Sequence, residues 1–490
     1  MNIFKAYDVR GKYPQEINEK VAYEIGRAFI KFLNSELKIP KNKLQVVIGR
    51  DNRLSSLSLY KNLIKGIVES EANIIDIGLA TTPMFYFTIC KFKYDGGIMT
   101  TASHNPPSDN GFKLVKRKAV TIDIDENGGL KEIKKMVLGA RRAREIRERS
   151  ELNFPVAERS EAAVGGGRKA SVQKKKVLKD YLNLSLSKVN LKKIKPFKVA
   201  MDTGNGVTGI LISEILKRKL FKVYPLFIEL DGTFPNHLPN PSEEINISYL
   251  KKFVKKKKLD LGVAFDGDGD RIILVDENGK VIPSDFISCL FSKIILKENK
   301  GAKILYNICS SNIIKDIIEE NGGKAIVSKV GRTFIKEKAQ KEKAVFATEF
   351  SGHFYFKDNW FSEEPFFLFF KILEEMADTK KTISQLVSPF NVYFHSGQIN
   401  LEVKDKKRTL EALEKKFKNN KNLAFGKNLD FRSAQNKVSH LDGVRIDFSD
   451  WWFNARPSNT ENLLRVVVEA KTKKKMEEKL KEIRKIINKT

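Results

Sequence analysis

Apolar residues recur every three or four positions across residues 16–37, and this spacing predicts an amphipathic helix. The next apolar segment has a different character. QVVIG at 45–49 is a short continuous run that reads as a buried strand ending at Gly49-Arg50-Asp51. A helix is predicted over about 58–70 and a further strand at NIIDIG, 73–78. Strands alternating with helices in this way form a mostly parallel sheet with covering helices. The rhythm restarts at KVAMDTGNG (198–206), AKILYNICSSN (302–312) and KAIVSKVG (324–331), so three α/β units are expected. From about 393 the pattern changes. GQINLEV, VSHLDGVRIDF, WWFNARPS and LLRVVVEA read as strands, and a last helix is predicted over 473–488. Strands gathered in this way suit a smaller α+β domain.

Composition narrows the class without deciding it. A chain of 490 residues is long enough for about three domains and can bury several cores without disulfide staples. Its cysteines, Cys90, Cys289 and Cys309, lie far apart and form no CxxC pair, which fits a reducing compartment and gives no zinc signature. The start, MNIFKAYDVRG, lacks the apolar core of a signal peptide, and no apolar run nears the ~20 residues that span a bilayer. PFFLFF at 365–370 is short and flanked by charge. The chain is therefore expected to be cytoplasmic, with no membrane partner. The net charge of +30 suits anionic partners, either phosphorylated metabolites or nucleic acid. Its lysines are scattered, however, and KKKK at 255–258 precedes an apolar strand as a solvated helix end would, so nucleic acid is not expected. Residues 141–168 stand apart, with seven arginines, five glutamates and no lysine in a Lys-rich chain. Low hydrophobicity and high charge there predict disorder or an exposed, frayed helix, as an insertion after the first unit would show.

Four segments carry candidate chemistry. In Asp266-Gly267-Asp268-Gly269-Asp270-Arg271 the carboxylates alternate along an extended loop between two predicted strands, so all three can converge. Clustered carboxylates repel one another unless a cation sits among them, and hard oxygen ligands select Mg²⁺, Ca²⁺ or Mn²⁺. An EF-hand is excluded by Arg271 at the position where its turn needs glycine, and by flanks that read as strands. The second segment, Thr100-Thr101-Ala102-Ser103-His104-Asn105-Pro106, follows a predicted strand and puts Ser103 in a loop at the sheet edge, without the GxSxG elbow of an acyl-transfer serine. The third is Glu349-Phe350-Ser351-Gly352-His353, short polar groups around a glycine that suit sugar hydroxyls and equally suit a strand-to-strand turn. The fourth, Arg456-Pro457-Ser458-Asn459-Thr460-Glu461, can offer a guanidinium, hydroxyls and backbone N–H groups to a phosphate.

In this order and spacing the four segments resemble the α-D-phosphohexomutase family, closest to its phosphomannomutase/phosphoglucomutase members. Tyr7-Asp8-Val9-Arg10-Gly11, Gly49-Arg50-Asp51 and FPNHLPNP at 234–241 add to the likeness, which covers nearly the whole chain except 141–168. The resemblance implies three related α/β domains with mixed sheets and a smaller C-terminal α+β domain around a central cleft. The boundaries expected are 1–178, 179–280, 281–392 and 393–490. It implies interconversion of hexose 1-phosphate and hexose 6-phosphate, mannose and/or glucose, through a phosphorylated Ser103. Ser103, Asp266, Asp268 and Asp270 would hold Mg²⁺, and a hexose 1,6-bisphosphate would serve as activator and intermediate. Arg10, Lys113 and Arg271 would line the transfer site, with Lys113 a candidate for proton transfer. Tyr7, His104, Arg332, Glu349, Ser351 and His353 would face substrate, and Arg456, Ser458, Asn459 and Thr460 would grip the standing phosphate. Hexose phosphates are the implied partners of a monomer or dimer. Phe350, Arg332 and Asn462 depart from the usual pattern and leave the preferred sugar open. A phosphoglucosamine mutase and a catalytically silent sugar-phosphate-binding homologue are the alternatives.

Overall fold

The computed structural model describes residues 3–124, 128–151 (backbone only from 143), 170–418, 438–458 and 462–490. The chain packs into two compact units, Met1–Val275 with Ser362–Glu374, and Asp276–Phe361 with Glu375–Thr490.

The first unit holds two sheets. In the larger, Gln45–Arg50 lies between Asn73–Leu79 and Gly96–Thr100 in parallel. Asp109–Lys116 then pairs antiparallel with Gly96–Thr100 on one side and Val9–Lys12 on the other. The predicted first helix runs Glu19–Leu37. Asn18 caps its start by accepting the Val21 N–H, and Lys38 ends it in a left-handed conformation. Its apolar stripe buries Ile25, Phe29 and Leu33 in one core with Val46, Ile48, Ile74 and Ile98 from the sheet. At roughly 1.5–3 kcal/mol for each large side chain buried, this core dominates the unit's stability. The second sheet sets Lys198–Asp202 parallel to Lys222–Leu226 and Leu261–Phe265, with Ile272–Val275 antiparallel at its side. The KKKK run closes the helix Ser248–Lys257 just ahead of Leu261–Phe265, as its sequence suggested. PFFLFF opens the helix Pro365–Thr379, with Phe366, Phe369 and Phe370 fully buried.

The second unit also holds two sheets. Lys303–Asn307 pairs in parallel with Lys324–Ser328 and Phe346–Thr348, and Phe354–Phe356 returns antiparallel to Phe346–Thr348. The C-terminal sheet is antiparallel, with Trp451–Pro457 between Val444–Asp447 and Leu463–Ala470. The helices Lys406–Lys418 and Lys473–Ile487 bury Leu413, Phe417, Ile483 and Ile487 against it. The expected class is observed: mixed α/β sheets followed by a C-terminal α+β fold. The helix Leu130–Glu151 enters the Arg-rich stretch, and residues 152–168 lie outside the described residues. Among the described residues, no helix is long and apolar enough to cross a membrane.

Candidate active site

In the first unit, two loops from different sheets meet. The strand Gly96–Thr100 ends in the loop that carries Ser103, and the strand Leu261–Phe265 ends in the loop of Asp266, Asp268 and Asp270. Ser103 adopts a left-handed backbone, φ +54°. Its hydroxyl donates to Asp266 Oδ2 at 2.8 Å and lies 3.2 Å from His104 Nδ1. Gly267 makes this approach possible, because a Cβ there would collide with the Ser103 carbonyl oxygen.

The three aspartates are buried, and one carboxylate oxygen of each lies within 4.8 Å of the others. Asp266 Oδ1 accepts the backbone N–H groups of Asp270 (3.0 Å) and Arg271 (3.1 Å), which curls the loop around it. Burial first, then repulsion from Asp270 and Asp268, push its carboxyl up to about 7, against the pull of Arg271 and Lys113. Lys113, from the strand Asp109–Lys116, donates to Asp268 Oδ2 and Asp270 Oδ2, each at 2.6 Å. Thr82, at the start of the helix Thr82–Lys91, donates its hydroxyl to Asp268 Oδ2 at 2.6 Å and its N–H to the Asp268 carbonyl at 2.9 Å. Asp268 Oδ1 remains buried with no hydrogen-bond partner among the described residues. A three-carboxylate site with a spare buried oxygen fits a hard divalent cation. The calcium-loop reading fails on geometry as well as sequence. The flanks are strands, and Glu277, the twelfth position, accepts instead from the Ser384 hydroxyl.

Ser103, Lys113, Asp266, Asp268, Asp270 and Arg271 thus share one cluster, with the Arg271 Nε 3.9 Å from Asp266 Oδ2. Arg10 is turned toward the serine loop, donating to Asn105 Oδ1 at 2.8 Å and pairing with Asp8 at 2.6 Å. Tyr7 lies half-buried, two residues ahead of the strand Val9–Lys12.

The second unit gathers a different set of groups. Glu349, Ser351 and His353 occupy the turn between Phe346–Thr348 and Phe354–Phe356. Glu349 is buried, and burial alone would raise its carboxyl. His353, the Tyr355 hydroxyl at 2.7 Å and the Gly331 N–H at 3.1 Å outweigh that and hold it down at about 2. The His353 Nδ1 lies 2.8 Å from Ser351 Oγ and 3.2 Å from Glu349 Oε2. Arg332 opens the helix that follows Gly331. Phe350 stacks on His395, ring centres 5.1 Å apart, and His395 meets Trp452 edge-on at 6.0 Å. This column joins the turn to the strand Trp451–Pro457, which carries Arg456 and leads into the buried Ser458. Arg456 donates to Gln398 Oε1 at 2.8 Å, and Arg465 stands directly opposite it on the paired strand. Asn459 and Thr460 lie outside the described residues.

Comparison with known proteins decides the relationship. Models of the phosphoglucomutase/phosphomannomutase family match in sequence order: alpha/beta/alpha domain I over residues 1–138, domain II over 179–279, domain III over 283–393 and the C-terminal domain over 399–486. The chain belongs to the phosphoglucomutase/phosphomannomutase family. Among similar family members, a phosphomannomutase of Methanocaldococcus jannaschii is 36% identical over 487 residues, 99% of this chain and 98% of the relative. A phosphomannomutase/phosphoglucomutase of Pseudomonas aeruginosa is 32% identical over 479 residues, 97% of this chain and 93% of the relative. The crystal structure of a phosphoglucomutase/phosphomannomutase family protein from Burkholderia thailandensis superposes with a TM-score of 0.81 at 28% identity, covering 99% of this chain and 96% of that one. The family matches leave 139–178 uncovered, and that gap contains the Arg-rich stretch.

Motif reading missed several groups that the fold of this family member brings to the candidate residues. Thr82, Tyr355, Gln398 and Arg465 all touch or face the residues it named. Only Thr82 left a local signal, a helix start written as Thr81-Thr82-Pro83.

Proposed function

We propose that this chain is a Mg²⁺-dependent phosphohexomutase that interconverts the 1- and 6-phosphates of mannose and/or glucose through a phosphorylated Ser103 and a hexose 1,6-bisphosphate. The observation that carries this reading is the 2.8 Å bond from Ser103 Oγ to Asp266 Oδ2, between residues 163 positions apart. Relatives named phosphomannomutase and phosphomannomutase/phosphoglucomutase support the substrate class.

Phosphoryl transfer needs positioning and charge neutralisation more than covalent help from the protein. Mg²⁺ held by Asp266, Asp268 and Asp270 would supply that neutralisation for the phosphoryl oxygens. The chain's own groups do the rest. When the phosphoryl group leaves Ser103 for a sugar hydroxyl, the Oγ–P bond breaks and a sugar O–P bond forms. The departing Oγ takes up a proton, and Asp266 Oδ2 and His104 Nδ1 are the atoms within hydrogen-bond distance of it. Lys113 is assigned the proton on the sugar side, and as an ammonium it donates when the sugar oxygen is the leaving atom. Arg10 and Arg271 flank the serine and acidic loops and supply positive charge. Glu349, Ser351 and His353 are assigned to the sugar hydroxyls. Arg456 and Ser458, with Asn459 and Thr460, are assigned to the phosphate that is not in transit. The bisphosphate then reorients and returns its other phosphoryl group to Ser103. Three buried free thiols suit a reducing compartment, and we assign the chain to the cytoplasm.

Ser103→Ala tests the reading, with turnover of mannose 1-phosphate and glucose 1-phosphate expected to vanish. Intact mass of the wild-type protein should show an adduct of about 80 Da on Ser103, one phosphoryl group. A fully active Ser103→Ala protein sinks the mechanism. Glucosamine 1-phosphate in the same assay separates the phosphoglucosamine alternative.

A further inference from the structure

A left-handed backbone at a residue with a Cβ costs roughly 1–2 kcal/mol, so something must hold the serine loop in place. Beneath the loop lies Arg53, 1% exposed. Its Nη1 donates to the carbonyls of Pro106 (2.6 Å) and Asp109 (3.1 Å). Its Nη2 donates to those of Ser103 (2.8 Å) and Asn105 (2.7 Å). Its Nε lies 3.3 Å from Asp51 Oδ2. Four donated hydrogen bonds from the two Nη atoms thus reach carbonyls within residues 103–109, while Nε faces Asp51 as an ion pair without a hydrogen bond. The Phe234 ring closes the site from the second sheet's side, 5.1 Å from the guanidinium carbon. Gly232 packs on the Arg53 backbone so tightly that a Cβ there would come within 2.7 Å of the Arg53 Cα.

We infer that Arg53 is a positioning residue for phosphoryl transfer, fixing the serine-loop carbonyls and thereby the spacing between Ser103 Oγ and the acidic loop. The inference rests on the phosphoserine reading above. The Ser103 carbonyl is the key atom. It accepts from Arg53 on one side and abuts Gly267 on the other. Arg53 thus sets the surface against which the acidic loop rests. No atom of Arg53 bonds the Ser103 hydroxyl, so its effect passes through backbone geometry.

Arg53→Lys keeps the charge and loses the planar fork, since three donors on a point charge cannot span four carbonyls and a carboxylate. A misplacement of about 1 Å away from the chemistry is worth about 10²-fold in rate. We expect Arg53→Lys to lower kcat about 100-fold while KM for glucose 1-phosphate stays within about threefold. Phosphorylation of Ser103 by glucose 1,6-bisphosphate, followed by intact mass, should slow in parallel. A merely structural role would lower thermal stability without separating kcat from KM. A folded Arg53→Lys protein with kcat within threefold of wild type overturns the inference. If Arg53→Lys does not fold, Asp51→Asn decides. It leaves the guanidinium in place and removes the charge that orients Nε, so a roughly tenfold loss of kcat at constant KM supports the inference, and unchanged kcat overturns it. Ser103→Ala assayed alongside keeps the two questions apart. If Ser103→Ala is inactive and Arg53→Lys fully active, only the role of Arg53 falls. If Ser103→Ala turns over, the phosphoserine reading itself is lost.

Discussion

Asp266 and Glu349 are both fully enclosed carboxylates at the ends of strands, yet their surroundings drive them in opposite directions. Asp266 sits among two more acids and is pushed up to about 7 by burial and by those neighbours. Glu349 sits among donors, the Tyr355 hydroxyl, the Gly331 N–H and His353, and is held at about 2 although burial opposes it. The difference shows how one interior serves two purposes. The first site keeps its charges in conflict, so that a cation has work to do there. The second has its carboxylate already satisfied by neighbouring donors, which suits the sugar-hydroxyl role proposed for it.

The sharpest way to break this comparison is to neutralise each carboxylate in turn. Asp266→Asn should lower kcat by about 10³-fold, in line with loss of a group that acts on developing charge. In EDTA its melting temperature should equal or exceed that of wild type, because a repelled buried charge is gone. Glu349→Gln should do the reverse to stability, with a lower melting temperature in the same buffer. If both substitutions shift stability in the same direction, the contrast is wrong.

A pH series gives the next largest effect. Glu349 falls from 4.5 unfolded to about 2 folded, so its contribution is fully present above about 4.5 and fades as pH drops toward 2. The shift corresponds to about 3 kcal/mol at 1.36 kcal/mol per unit. Urea midpoints should therefore separate wild type from Glu349→Gln at pH 5 and converge near pH 2.5. Parallel curves would remove Glu349 from the account. The smallest effect concerns the Phe350–His395 stack. A double-mutant cycle with Phe350→Ala and His395→Ala should give a coupling of about 0.5–1.5 kcal/mol in unfolding free energy. Additive losses would mean that the rings merely share space.

The acidic loop was legible in sequence because everything that defines it is local. Two apolar runs flank it, glycines permit the curl, and the carboxylates alternate. The first helix was legible for the same reason, since its apolar period lies within one segment. Arg53 was not legible. It lies two residues beyond the Gly49-Arg50-Asp51 motif, and nothing near it in sequence announces carbonyls some 50 residues away. Tyr355 was hidden in the same way, since FYF reads as a buried strand and only the fold brings its hydroxyl to Glu349. The Phe350–His395 contact bridges 45 positions, beyond any periodicity argument. Local chemistry could be read from the chain, whereas the supports that hold it in place required the fold.

The torsion at Ser103 has a consequence for which alcohol can occupy that position. Threonine bears the same hydroxyl, but its branched Cβ is poorly tolerated at φ +54°, where even unbranched side chains are strained. If Ser103 carries the phosphoryl group as proposed, main-chain shape as well as reactivity selects serine there, and the loop disfavours a chemically equivalent residue on steric grounds.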